Sequence, residues 1–407
     1  MKLLLSSVLI GIVLTGAVYG EQSSNWEPST MVDGEPYHSV DELRSFYKLS
    51  TGIKSTRKGA YAIGNSDVSV ELGPGAREMR IGGILVELVH PMHKTPAGEW
   101  LISREDWIAS IDPILRPTYI QDRQTVQTVV IDAGHGGHDT GEVSGQLNEA
   151  EIALQMARKL QTALEKMGYK TILTRTEGKF LSDQQRVELA NAAGPNAIFL
   201  SLHINGGRSD FRGSSVYTLA PGQDNRPGHV RQSAHAALAY ALQSAMVSRA
   251  GTADAGCKRA HYSLLSSITC PAAWIELGYA THSQEGISLT NAAYQDTLAQ
   301  ALAQGVATYA AVANPAAKIP VQTPPPRVPV KHPVATPTKN TSTTDSGTRG
   351  GSASTRGNSA RGGSTARNSS RQQNTRQQNS SARQQQNSRQ QQSSGARRQN
   401  SPSRTRR

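Results

Sequence analysis

The chain is poor in the residues that build cores. Aromatics make up 5% and all hydrophobic residues 36% of its 407 residues, little for the two or three domains such a length would hold at roughly 150 residues each. The shortfall is local. Residues 318–407 contain no Phe, Tyr, Trp, Leu or Met and consist mostly of Ser, Gln, Asn, Arg, Gly and Thr. That excludes a packed core there, because nothing offsets the entropy of ordering the backbone. The expectation for 315–407 is a Pro-rich extended linker over 315–338 and a disordered basic Arg/Gln/Ser/Asn tail over 340–407.

Acidic residues are missing from the same stretch, where Asp345 stands alone against 17 Lys and Arg. The tail therefore carries +16 of a formal total of +12, which leaves residues 1–317 at −4. A pI near 9.8 thus describes the tail and does not mark the folded part as a nucleic-acid-binding domain. Without aromatics the tail lacks stacking groups for single strands. Its chemistry suits salt-sensitive, non-specific adhesion to an anionic polymer such as nucleic acid or lipopolysaccharide, or a solvated tether.

Long apolar runs are absent except at the start, where Lys2 precedes Leu3 to Val18 and Val18-Tyr19-Gly20 offers a cleavage point before Glu21. This pattern predicts a secretory signal peptide over 1–20, since the run is short for a span needing about 20 residues. Export to the periplasm is the first expectation and release to the medium the second. Only two cysteines, Cys257 and Cys270, are present. In an oxidising compartment they permit one bridge, with two buried thiols as the alternative, and no His or Cys at ligand spacing accompanies them.

After a polar leader over 21–37, Ser39-Val40-Asp41-Glu42 predicts a capped helix. Short β-like runs follow at 60–63, 68–72, 78–81, 84–89 and 100–103, then a helix over Arg104 to Ile111 stopped by Asp112-Pro113. This is a small α+β domain over 38–120. Its stretch from Ile81-Gly82-Gly83-Ile84 to Trp100-Leu101-Ile102-Ser103 loosely resembles the small N-terminal domain of copper amine oxidases.

From Thr128 the pattern alternates buried strands with amphipathic helices, predicting an α/β domain over 127–314: a mostly parallel sheet of about six strands with helices on both faces. The expected strands are 128–132, 169–175, 197–202, 214–219, 258–265 and 272–277. Helix stripes are Ile152, Met156, Leu160 and Leu164; Val187 and Leu189 behind Ser182; Leu238, Leu242 and Met246; and Leu298, Leu302 and Val306.

Polar residues stand at three strand ends: Asp132-Ala133-Gly134-His135-Gly136-Gly137-His138-Asp139, His203-Ile204-Asn205, and Glu276 within an apolar run. In open parallel sheets, sites form beyond the carboxyl ends of strands. Glu149, at the start of the next helix, points to the same edge. Two imidazoles and a carboxylate, with one position left for water, suit a hydrolytic Zn²⁺. Such a site needs a carboxylate base, and a Glu276 of raised pKa would serve, later donating the proton to a leaving amine. His138 and Glu151 compete as ligands, but Glu151 lies about 200° of helix from Glu149, so both cannot face one ion.

Taken in order, Val130-Ile131-Asp132-Ala133-Gly134-His135-Gly136-Gly137, Asn148-Glu149-Ala150-Glu151-Ile152-Ala153-Leu154, Ser201-Leu202-His203-Ile204-Asn205 and Ile275-Glu276-Leu277-Gly278-Tyr279 resemble the zinc-dependent N-acetylmuramoyl-L-alanine amidases of the amidase 3 family. The resemblance runs from Thr128 to about Ala310. It implies one zinc held by His135, Glu149 and His203, Glu276 as catalytic base, and peptidoglycan as substrate; control is expected by location or by partners, a protein activator being one such partner. Asn205 matches a position beside the metal and Arg186 one in the second helix, both expected toward substrate, with a structural salt bridge the stronger expectation for Arg186. Two positions depart from the family: Ala133 stands where Pro is usual, and Thr281-His282 where Ser-Asn is usual, placing His282 in the groove as a local variation. Pro221 to Arg231 has no apolar periodicity, so no inhibitory helix is expected. A catalytically inactive peptidoglycan-binding protein, or a zinc hydrolase of another amide, are the alternatives.

Overall fold

The computed structural model describes residues 30–51, 61–65, 69–72, 77–120, 123–221 and 227–316. The expected signal peptide and the basic tail lie outside the described residues. The elements are β1 (Thr30–Val32), β2 (Glu35–Ser39), α1 (Val40–Phe46), β3 (Ser50–Thr51), β4 (Tyr61–Gly64), β5 (Ser69–Leu72), β6 (Glu78–Ile81), β7 (Ile84–Glu87), β8 (His93–Lys94) and β9 (Trp100–Ser103). There follow α2 (Arg104–Asp106), a π turn (Trp107–Ile111) and α3 (Asp112–Leu115). The second region has β10 (Thr128–Ala133), β11 (Val143–Ser144), β12 (Leu147–Asn148), α4 (Glu149–Lys166), β13 (Lys170–Leu173), α5 (Asp183–Ala192), β14 (Ala197–Asn205) and β15 (Ser214–Leu219). It ends with α6 (Pro227–Val230), α7 (Gln232–Ala245), β16 (Asp254–Ala260), α8 (Ser263–Ser266), β17 (Ala272–Tyr279), α9 (Ser283–Thr290) and α10 (Ala292–Ala313).

One sheet runs through both regions in the order β13-β10-β14-β17-β15-β16-β7-β6-β5-β4-β3. Its first six strands are parallel except where β15 meets β17, and β7 extends it by pairing in parallel with β16 at Cys257 and Val86. Asp254 reinforces this joint, accepting from Arg80 Nη1 and Leu85 N–H, each at 2.8 Å.

Alternation along the strands sorts the core into two layers. Val129, Ile131, Leu200, Leu202, Ala273 and Ile275 face the buried stripes of α4, α7 and α10. Val130, Phe199 and Ala272 face the other way, toward α5 and α8. Asp132, Ser201, His203, Trp274 and Glu276 share the parity of this second face, so the polar strand ends emerge there together. Helix α4 begins where Asn148 caps Glu151 N–H, and it buries Ile152, Met156, Leu160 and Leu164. Helix α5 begins on a reciprocal Ser182–Gln185 capping box.

Several boundaries differ from expectation. Residues 30–39 are a hairpin whose β2 pairs with β9, not a leader; Tyr37 is buried there and reaches Pro91 O. Pro113 does not stop the helix, because it sits in the first turn of α3, where its missing N–H has no partner to lose. The strand expected at 258–265 is instead 254–260, and Leu264 and Leu265 enter the core from α8. Strand 169–175 pairs only over 170–173, which frees Arg175 to turn inward. Cys257 and Cys270 are both free and buried, in core layers on opposite faces of the sheet. Burial pushes the Cys270 thiol up to about 12.

Candidate metal centre

His135 has a left-handed backbone, φ 58°, which costs a non-glycine residue about 1–2 kcal/mol. Two buried guanidinium groups hold the turn in place. Arg186 donates to Ala133 O and His135 O, both at 2.9 Å, and Arg175 donates to Ala133 O at 2.9 Å, Gly134 O at 2.8 Å and Ala150 O at 2.7 Å. Glycine at 134 is required by close approach, since a Cβ there would lie 2.3 Å from His203 Cε1.

Three side chains converge at the end of β10 and β14. His135 Nε2 and His203 Nδ1 each lie 3.0 Å from Glu149 Oε1 and 3.2 Å from one another. The outer nitrogen of each imidazole is already engaged. His135 Nδ1 meets Asp139 Oδ2 at 2.9 Å. His203 Nε2 meets Ser201 Oγ at 3.0 Å, and that hydroxyl donates to Asp132 Oδ2 at 2.7 Å. A hydroxyl that donates to a carboxylate accepts from the ring, so His203 carries its proton on Nε2 and turns a bare Nδ1 inward. Glu149 is steadied by Ile204 N–H at 3.0 Å and Glu142 N–H at 2.8 Å.

The protonation pattern follows from depth. Burial drives His203 to the neutral form. Burial also opposes charge on His135, but hydrogen bonds and charge from Glu149, then Asp139, outweigh it and lift His135 to about 9. Burial would raise Glu149, yet the two imidazoles hold it well below the usual carboxylate range. One proton is shared among three inward-facing donor atoms, where a dication would satisfy all of them. All three ligand atoms lie within 4.8 Å of one another, and two imidazoles with one carboxylate and no thiolate fit Zn²⁺ with an open position.

Glu276 faces this cluster from β17, opposite His203 in the register. Its Oε1 accepts from Trp274 Nε1–H at 2.8 Å, while its buried Oε2 has no hydrogen-bond partner among the described residues. Burial raises Glu276 to about 7, with the Trp274 hydrogen bond as the main opposing effect.

The family model for N-acetylmuramoyl-L-alanine amidases matches residues 129–308. The uncharacterized protein YqiI of Bacillus subtilis is 31% identical over 185 residues, which are 45% of this chain and 84% of YqiI. The chain belongs to the N-acetylmuramoyl-L-alanine amidase family. The N-acetylmuramoyl-L-alanine amidase LytC of the same organism is 31% identical over 187 residues, but these are 35% of its length. A crystal structure of an N-acetylmuramoyl-L-alanine amidase from Clostridium difficile 630 is 30% identical over 46% of this chain and 97% of that chain, with a TM-score of 0.40.

Within this amidase domain the remaining expected residues separate. Asn205 ends β14 with its Nδ2 buried and without a partner among the described residues. Arg186 is 4% exposed, bound to Asp132 beneath the His135 turn, and does not reach the mouth. His138 is exposed and lies against Phe180, ring centroids 4.4 Å apart. Glu151 is exposed on the outer side of α4. His282 caps α9, accepting from Glu285 N–H at 3.2 Å, and α9 itself was not expected. Sequence reasoning gave no role to Asp139, Ser201, Asp132, Arg175 or Trp274. Ser201 carried a usable signal, two residues before His203 on one strand face.

Proposed function

We propose that the amidase domain hydrolyses the amide between N-acetylmuramic acid and L-alanine in peptidoglycan, with zinc held by His135, Glu149 and His203. The observation that carries the reading is the pairing of three converging donors, both outer imidazole nitrogens engaged, with a buried, unpartnered carboxylate oxygen on the neighbouring strand. Zinc bound there would polarise the scissile carbonyl and make a water acidic enough to attack near neutral pH.

The protein's own groups account for proton movement. Glu276 Oε2 takes the proton of the attacking water and returns it to the departing L-alanine nitrogen. Holding this carboxyl near 7 serves both steps, because the group must accept and then give up one proton. The buried Nδ2 of Asn205, without a partner among the described residues, supports a role in holding the substrate beside the reacting carbonyl. Arg186 acts from below, keeping His135 in its strained turn.

Peptidoglycan as substrate places the action outside the cytoplasmic membrane, and the expected signal peptide supports the periplasm first, the medium second. No helix among the described residues is long and apolar enough to cross a membrane. The +16 tail supports adhesion to anionic polymers, which a salt titration of tail binding tests.

The deciding experiment digests purified peptidoglycan with the mature chain, untreated, chelated, and chelated then restored with zinc, beside Glu276→Gln. The expected result is zinc-dependent appearance of stem peptides with a free L-alanine amine, lost in the Gln variant. A zinc-loaded chain that releases no such amine would redirect the reading to another amide or to a required activator.

A further inference from the structure

Trp274 precedes Glu276 by two residues on β17, so both side chains leave the same face of the sheet. Its indole lies flat on the His203 imidazole, with centroids 3.5 Å apart and planes 7° from parallel. Tyr262 covers the opposite face at 4.4 Å and 22°. An indole held between two rings cannot rotate its N–H away, and that N–H donates to Glu276 Oε1 at 2.8 Å. An unrestrained Glu carboxylate has a broad terminal torsion and samples many orientations. Here one oxygen is pinned and the other, Oε2, is left buried and bare.

We propose that Trp274 is a positioning residue that ties the base to the metal ligand: stacked on His203, it sets which oxygen of Glu276 faces the reacting water. A Leu or Phe at this place would fill the space without donating. The role of Glu276 as base rests on the amidase reading above, whereas the clamp itself rests only on the stacking and the hydrogen bond.

The test has two arms on the mature chain. In the first, Trp274→Phe keeps a ring over His203 and removes the donor. Zinc affinity, read by competition with a chromophoric chelator, and KM should stay within about twofold, while kcat falls about 10- to 100-fold from lost orientation. Trp274→Leu should also weaken zinc about tenfold, because the support behind His203 is gone. An unchanged kcat in Trp274→Phe would overturn the proposal.

The second arm does not need a folded Trp274 variant. The chain has four tryptophans, and the indole N–H resonance of Trp274 is assigned by its contacts to His203 protons. That resonance should shift on Glu276→Ala and again on adding zinc alone, while the other three stay in place. A Trp274 resonance indifferent to Glu276→Ala would sink the clamp. If the wild-type chain frees no L-alanine amine, the amidase reading turns to another amide or a required activator, and the indole resonance still decides this inference.

Discussion

Glu276 stands directly beside His203 on the neighbouring parallel strand. Sheet register therefore sets the distance between the proposed metal ligand and the proposed base, and no loop intervenes. A strand pair resists slippage here because a one-residue shift of either strand would turn its polar side chain into the apolar layer on the other face.

Glu276 should dominate the acidic limb of the rate profile. A base works unprotonated; burial lifts this carboxyl to about 7 in the metal-free site and a bound dication pulls it down, so with zinc saturating, kcat should fall about tenfold per pH unit below a midpoint between the ordinary carboxylate range and about 7. A profile that stays flat down to about 4, the ordinary carboxylate range, would assign the proton transfer elsewhere.

Zinc binding should release a proton. In the metal-free site His135 is protonated up to about 9, and zinc must displace that proton, so affinity should rise about tenfold per pH unit from pH 7 and level off near 9. Calorimetry in buffers of different ionisation enthalpy counts the protons. Finding none released at pH 7.5 would mean that His135 is already neutral.

Removing the outer hydrogen bonds should loosen the metal without touching a ligand. Asp139→Ala and Ser201→Ala each free one imidazole to rotate and should weaken zinc about 10- to 100-fold. Chelator competition measures this directly, and affinities equal to wild type would show that packing alone orients the rings.

Gly134→Ala should cost both stability and metal. The new Cβ would meet the His203 ring at 2.3 Å, and overpacking of this kind costs about 1–3 kcal/mol. Urea denaturation and zinc stoichiometry together check it; a variant with full zinc and normal stability would contradict the close approach.

Arg186→Ala should destabilise the fold by about 3 kcal/mol or more, because it leaves the buried Asp132 carboxylate without its counter-charge. Arg186→Lys should recover only part of that loss. A single ammonium cannot span Asp132, Ala133 O and His135 O as the planar guanidinium does. Equal stability of Lys and Arg variants would argue against the span.

What was legible in the chain was whatever periodicity or spacing could encode. The stripe of α4, the Ser182 cap and the buried runs at Thr128 and Ala197 are local patterns, and they appear as helix, cap and strand. The candidate ligands and Glu276 were legible because they are polar residues in or beside apolar strands, or at a helix start, where such side chains are out of place. Less legible were features decided by partners distant in sequence. The hairpin at 30–39 looks polar, yet it is fastened by β9, and the strand at 254–260 starts early because Asp254 is held by Arg80 and Gln243.

By itself the sequence determined the main alternation of buried strands and amphipathic helices from Thr128 onward and the identity of four chemically apt side chains. Only the tertiary structure decided that Arg186 supports the His135 turn from beneath, that Ser201 and Asp132 select the tautomer of His203, and that Trp274 holds one oxygen of Glu276. The reason is physical. Periodicity tells which face a residue takes, but a hydrogen bond forms between atoms that strand register and backbone curvature bring within 3 Å, and those are properties of the whole sheet.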